Sequence, residues 1–188
     1  MPGCKSVLVA VTGASGIAYA EKLLEASIDL GVNIEGVILS ESAIEVARLE
    51  LGREPRIPGG ITVYSEDDFR APFASSSGLP ECMVVVPASM NTIAKIANGI
   101  QDNLIARAAG SMLRMRRRLV VVPRETPLSI IDLENLLKLA KAGAVVLPAS
   151  PGFYYNPRTI DDMVGFIAGK ILDVLGVGNE LYKHWGDS

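Results

Sequence analysis

The residues able to do chemistry stand in short polar clusters, each directly after an apolar run. Thr12-Gly13-Ala14-Ser15-Gly16 is a glycine turn leading into a helical pattern. Glycines there let a ligand approach the backbone, and N–H groups at a helix start favour an anion; the same turn can also serve only to begin a helix. Pro87-Ala88-Ser89-Met90-Asn91-Thr92 offers hydroxyl and amide groups at a second helix start, as a ligand cradle or as a simple N-cap. Ser40 follows another apolar run. Pro123-Arg124-Glu125-Thr126-Pro127 places a cation and a carboxylate after a buried strand, where they must be hydrated, paired or facing a ligand, and its two prolines stiffen the segment. Ala149–Tyr155 is an aromatic loop that either holds a ligand or covers the core edge. Lys170 borders the helical stripe Ile160–Val164–Ile167–Ile171, where it reaches solvent along its stem or meets an anion.

The elements that must position these clusters alternate between strand and helix. Strands are expected over Ser6–Val11, Asn33–Leu39, Ile61–Tyr64, Cys82–Val86, Leu119–Val122 and Ala144–Leu147. Helices are expected from the glycine turn to Leu30 (inner face Ile17, Ala20, Leu24 and Ile28), over Ser42–Leu51, and in two pieces after Pro87, the second across Asn103–Arg116. A further helix is capped by Ser129, with Ile130, Leu133, Leu136, Leu137 and Ala140 as its inner face. The last, opened by a Thr159–Asp162 capping box, runs to Leu175. Ala71–Pro80, with its serine run, reads as a mobile surface loop. The pattern implies an α/β fold, one domain over residues 1–188, with a doubly wound parallel sheet of Rossmann-like type. Ligands in such folds bind outside the carboxyl ends of the strands, so the clusters converge on one rim.

Composition removes several functions. The chain has 188 residues, 49% hydrophobic and 5% aromatic, which suits one Val/Ile/Leu/Ala-rich core and hints at surface buried against other subunits. Its net charge of −3 offers no basic field for nucleic acid. The Arg114–Arg118 run is read as cations complementing a helix C-terminus. Cys4 and Cys82 are too few for a disulfide scaffold and too far apart for a CxxC motif; Cys82 reads as a small core residue. No apolar run approaches the roughly 20 residues of a membrane span, and no signal-like segment precedes the first strand, so the cytoplasm is the expected location. Asp67-Asp68 and Asp161-Asp162 each lack a third aspartate, so no magnesium motif is present. Ala18 stands where G-x-G-x-x-G needs a glycine, and no tyrosine has a lysine four residues later, which weakens a hydride-transfer reading. His184, the one histidine, is expected in solvent.

Taken together, Gly13-Ala14-Ser15-Gly16, Pro87–Thr92, Arg124-Glu125-Thr126-Pro127-Leu128, Pro148–Tyr154 and the stretch Thr159–Gly176 resemble the ordered signatures of the flavin prenyltransferases (the UbiX/Pad family). The resemblance covers almost the whole chain. It implies bound FMN, reduced for the reaction, and dimethylallyl phosphate as donor without a metal. The prenyl group would join flavin N5 and then C6, and the prenylated FMN would serve a UbiD-type decarboxylase. It further implies flavin contacts from Gly13, Ala14, Ser15, Ser40, Ser89, Met90, Asn91, Thr92 and Arg124. Donor contacts would come from Tyr154, Lys170, Arg107 and Arg114, catalytic roles from Glu50, Glu125 and Ser15, and the assembly would be a homo-oligomer as large as a dodecamer. Positions 114 and 170 carry Arg and Lys where the family pattern also admits the other base, which bears on donor geometry. A flavin-dependent cysteine decarboxylase of related fold shares the Pro-Ala-Ser-x-Asn-Thr signature but uses a histidine in its first half, absent here. A flavin carrier without catalysis is the remaining alternative.

Overall fold

The computed structural model describes residues 3–186. Six strands form one parallel sheet in the order β3-β2-β1-β4-β5-β6. They are β1 (Ser6–Val11), β2 (Asn33–Leu39), β3 (Val63–Ser65), β4 (Cys82–Ala88), β5 (Arg118–Pro123) and β6 (Val145–Val146). The helices are α1 (Ile17–Asp29), α2 (Glu41–Leu51), α3 (Met90–Ala97), α4 (Leu104–Arg114), α5 (Ile130–Lys141) and α6 (Ile160–Leu175).

The period-two alternation of strand side chains builds two cores. Val7, Val9 and Val11 of β1, with Val84 and Val86 of β4 and Val120 and Val122 of β5, face α1, α2 and α6. Leu8 and Ala10, Met83 and Val85, and Leu119 and Val121 face α3, α4 and α5. Each Val or Leu so buried contributes about 1.5–3 kcal/mol relative to exposure. The order of the chain reverses between β1 and β4, which pair in parallel through Val7–Ala10 and Cys82–Val85. The crevice of a doubly wound sheet lies at this switch point.

Several expectations need correction. The stripe read as the inner face of α5 mostly faces outward: Ile130, Leu133 and Leu137 are exposed, as is Ala140, whereas Asn135 and Leu139 are buried and Leu136 is half-buried. A polar anchor fixes this rotation. Asn98 after α3 donates to Asn135 Oδ1 at 3.1 Å, and Lys138 donates to Asn98 Oδ1 at 2.8 Å. At the start of α6, Ile160 is likewise exposed while Val164, Ile167 and Ile171 are buried. In α1, Ile28 faces outward, and Leu23 joins the buried face. β3 begins later than expected, and β6 is confined to two residues.

The 71–80 segment is packed rather than loose. It forms two short 3₁₀ turns, buries Ala71, Phe73 and Leu79, and accepts hydrogen bonds from Arg117 at the carbonyls of Leu79 and Pro80. Cys82 is buried as expected, yet it is bonded to Cys4 in a disulfide with Cα atoms 6.1 Å apart. Spacing could not show this, because β1 and β4 become neighbours only through the crossover. Ser129 caps α5 as read, in a capping box with Asp132 that was not foreseen, and the Thr159–Asp162 capping box of α6 is present as read.

Candidate functional site

Thr12 directly follows β1 and joins the two sides of the switch point. Its buried hydroxyl donates to Pro87 O at 2.7 Å and accepts from Ser89 N at 2.8 Å, while its own N–H donates to Pro87 O at 3.3 Å. The glycine turn and the Ser89–Thr92 segment are therefore held as one rim. At Gly13 a Cβ would overlap Ser42 at the start of α2, so the turn tolerates no side chain there. Ser40 is buried as the N-cap of α2, accepting from Ala43 N at 3.0 Å, with Ser42 Oγ 3.0 Å from its hydroxyl. Ser89 caps α3 in the same way, accepting from Thr92 N at 3.3 Å and donating to Thr92 Oγ1 at 3.0 Å. The other first-turn N–H groups of α3 have no intrahelical acceptor and suit an anion. Ala14 is buried, Met90 half-buried, and Ser15 and Asn91 are exposed.

The start of α1 already holds an anion. Glu50, from the last turn of α2, accepts from Gly16 N at 2.9 and 3.1 Å and from Ile17 N at 3.1 Å. A carboxylate on a helix N-terminus is favoured by the helix dipole, by about 0.3–1 kcal/mol at an exposed site. This corrects the expectation that the glycine turn keeps its N–H groups for a ligand. Gly16 has φ +105°, and a Cβ there would strike the Tyr19 ring. Burial pushes the Tyr19 phenol up; Arg124 opposes the shift and Glu50 adds to it, so Arg124, Glu50 and Tyr19 share one electrostatic neighbourhood. Sequence reading missed Tyr19, and it placed Thr12 on the rim without its link to Pro87 and Ser89. The only signals were an aromatic in the first turn after the glycines and a hydroxyl directly after the last strand residue.

Arg124 and Glu125 leave β5 exposed on the same rim, and Glu125 accepts from Thr126 N at 2.9 Å. Ala149 N donates to Pro123 O at 3.0 Å, which brings the aromatic loop beside them. There Tyr154 packs edge-on against Tyr155, Phe166 and Trp185 at centroid distances of 5.7, 6.1 and 5.1 Å. Tyr155 stacks on Phe166 at 5.3 Å and donates to Asp162 O at 3.1 Å. Lys170 Nζ lies 5.6 Å from the Phe166 ring centre, so Tyr154 and Lys170 border the same ring. A cleft of about 520 Å³ opens among Tyr154, Tyr155, Lys183, His184 and Trp185. His184 is exposed as expected, though it also rests against Tyr182.

Arg107 and Arg114 do not join this group. Both lie on α4, on the sheet face opposite α6; Arg107 Nε donates to Ala74 O at 2.7 Å and Arg114 to Ser111 Oγ at 2.6 Å. Arg114 also ends α4 at the edge where β5 begins, away from the carboxyl-end rim. Among the described residues no group of three or more His, Cys, Asp or Glu is gathered as a metal site, and no helix is long and apolar enough to cross a membrane.

The sequence profile of the Flavoprotein family matches residues 2–172. A flavin prenyltransferase UbiX from Thermoplasma acidophilum is 47% identical over 185 residues, spanning 95% of this chain and 99% of that one. The chain belongs to the flavoprotein family, among the UbiX flavin prenyltransferases. Two solved structures share the fold closely. AnUbiX (PadA1) in complex with FMN and dimethylallyl pyrophosphate superposes with a TM-score of 0.90 at 36% identity, covering 98% of this chain and 99% of that one. A dodecameric FMN-dependent UbiX-like decarboxylase from Escherichia coli O157:H7 gives 0.89 at 34% identity, covering 97% and 100%.

Proposed function

We propose that this chain transfers a dimethylallyl group from dimethylallyl phosphate to reduced FMN. The observation that carries the reading is the switch-point rim tied by Thr12, in a chain that is similar over nearly its full length to named flavin prenyltransferases and whose Tyr154 and Lys170 border the same Phe166 ring. Reduced FMN supplies the nucleophilic N5 and C6 positions that become joined to the prenyl carbons in a fourth ring. The residues present suit that ligand. Gly13, Ala14 and Ser15 give a tight wall, Ser40 and Ser89 hold two helix starts rigid, Met90–Thr92 open α3 towards an anion, and Arg124 adds positive charge.

The donor loses phosphate as its C–O bond breaks, and the cation of Lys170, with the Tyr154 hydroxyl, stabilises that leaving group. Ring closure breaks the prenyl double bond, whose inner carbon gains a proton as the outer carbon joins C6, and Glu125 or Glu50 takes the proton that C6 loses, with Ser15 beside Glu50 on the turn. Glu50 keeps acceptor capacity beyond the Gly16 and Ile17 N–H groups, since each carboxylate oxygen has two lone pairs. No step needs a metal. The prenylated flavin then passes to a UbiD-type decarboxylase, and the reaction belongs in the cytoplasm.

The site is completed by another copy of this chain. Arg107 and Arg114 lie on the wrong face to serve their own Lys170, and α5 presents Ile130, Ile131, Leu133 and Leu137 to solvent. An apolar patch of this kind marks a subunit contact, and a dodecamer like that of the Escherichia coli relative would cover it.

The test is anaerobic single turnover of reduced FMN with dimethylallyl phosphate and, separately, the pyrophosphate, read by flavin mass. A flavin heavier by one C₅H₈ unit, formed in the presence of chelator, supports the reading. Bound FMN with no mass change under either donor refutes it and leaves a carrier. Lys170→Ala and Tyr154→Phe should bind FMN normally and lose product roughly ten- to a hundredfold, the effect of one charge-assisted phosphate contact.

A further inference from the structure

The segment after α6 folds back across that helix. Its path needs Gly165 and Gly169: a Cβ at 169 would lie 2.6 Å from Tyr182 Cδ1, and one at 165 would lie 3.2 Å from Leu181 O. Tyr182 is buried as a result, with its ring 4.8 Å from Phe166 and 4.8 Å from Lys170 Nζ. Its hydroxyl donates to Asp173 Oδ2. Asn179 Nδ2 donates to Asp173 Oδ1 at 2.9 Å, and His184 Nε2 lies 3.8 Å from Oδ2. Asp173 is one turn beyond Lys170, the natural spacing for an ion pair, yet its Oδ2 stands at 4.0 Å from Nζ.

We propose that Tyr182 is a positioning residue for donor binding: it gives Lys170 an aromatic face to rest on and occupies Asp173, so that the lysine is not captured by its own helix. The inference rests on the prenyl-transfer reading of Lys170. A lysine held over two rings keeps its charge and, with its side chain partly exposed, can exchange a weak contact for a phosphate. One held tightly by an adjacent carboxylate must first break that pair. Tyr182 thereby links the carboxy-terminal segment to donor affinity without itself touching the donor.

The experiment measures binding of dimethylallyl phosphate to FMN-loaded protein by calorimetry, together with the donor KM and kcat. Tyr182→Phe keeps the ring and removes the hydroxyl from Asp173 Oδ2, which then turns to Lys170 although Asn179 still holds Oδ1; donor Kd and KM should rise about tenfold, one lost charge-assisted contact, with kcat at saturation and FMN affinity unchanged. Tyr182→Phe combined with Asp173→Asn should restore the wild-type donor affinity, an outcome that a merely structural role for the hydroxyl does not produce. Should Tyr182→Phe not fold, Asp173→Asn alone decides: its donor affinity should be no weaker than wild type. Unchanged donor binding in Tyr182→Phe, absence of rescue in the double variant, or weakened binding in Asp173→Asn overturns the proposal while leaving prenyl transfer intact. Failure of the wild type to bind the donor at all instead refutes the reading on which the proposal stands.

Discussion

Thr12→Val tests whether one hydroxyl holds the flavin rim together. Valine keeps the shape and removes a donor to Pro87 O and an acceptor for Ser89 N. Pro87 O retains the Thr12 N–H at 3.3 Å, so the group left without a partner is Ser89 N, beside a residue only 1% exposed. One such orphaned group costs about 1–3 kcal/mol. For a chain of this length that lowers Tm by about 2–12 °C. Ser89 opens α3, so the loss should also loosen the proposed FMN seat, weakening affinity roughly five- to 150-fold if the same 1–3 kcal/mol appears in binding. Urea unfolding of the flavin-free protein and fluorescence titration with FMN measure the two quantities, and Thr12→Ser should recover most of both. If Thr12→Val matches wild type in stability and in FMN affinity, the link between β1 and β4 carries no weight and the reasoning fails.

Glu50→Gln should leave FMN bound, lower stability by about 1 kcal/mol or less through the weakened charge on the α1 N-terminus, and slow prenyl transfer; chemical denaturation and single-turnover rates separate the two effects. Reduction of the Cys4–Cys82 disulfide, which closes a separation of 78 residues, should lower stability by about 2–4.5 kcal/mol without loss of FMN, seen by thiol titration in denaturant and by melts with and without reductant. Acid should loosen the helix starts first. Asp162 is held below the usual carboxylate range by the N–H groups of Arg158 and Thr159 and the Thr159 hydroxyl, and Asp132 by the Ser129 hydroxyl and N–H. Because both carboxyl pKa values are depressed on folding, their contribution is complete above the unfolded value near 4 and fades as pH falls through the folded values; Asp162→Asn should flatten the melting profile below about pH 4. On the exposed face of α5, Leu133→Glu should reduce the assembly to smaller species in light scattering while the fold, by circular dichroism, persists.

The doubly wound parallel sheet was legible, though not its strand order, because β1, β4 and β5 are apolar over most of their length, as a sheet covered on both faces requires. Helix starts were legible for a local reason: Ser40, Ser89, Ser129 and Thr159 are caps whose partners lie within three residues. What depended on distant pairing was not legible. The α5 stripe is apolar at helical spacing, and from periodicity alone it belongs inside. The single chain turns it outward because Asn135 and Lys138 are spent on Asn98. The Cys4–Cys82 bond likewise exists only because β1 and β4 become neighbours.

The site divides along the same line. Positions following strands could be placed on a rim by topology alone, and Thr12, Ser89, Arg124 and Tyr154 do stand there. Glu50 could not be placed that way, since it ends a helix and reaches the glycine turn across 34 residues of sequence. Its carboxylate changes the electrostatics of the rim. Of the two helix starts at the switch point, α1 is already matched by a negative charge and α3 is matched only by the neutral Ser89 hydroxyl. An incoming phosphate therefore meets repulsion at one and open N–H groups at the other, so Glu50 sets polarity along the crevice as well as serving the proton transfer proposed for it. Arg107 and Arg114 show the opposite failure. Their sequence matches are as plain as that of Lys170, yet the sheet stands between them and it, so the donor contact proposed for them requires a second copy of the chain.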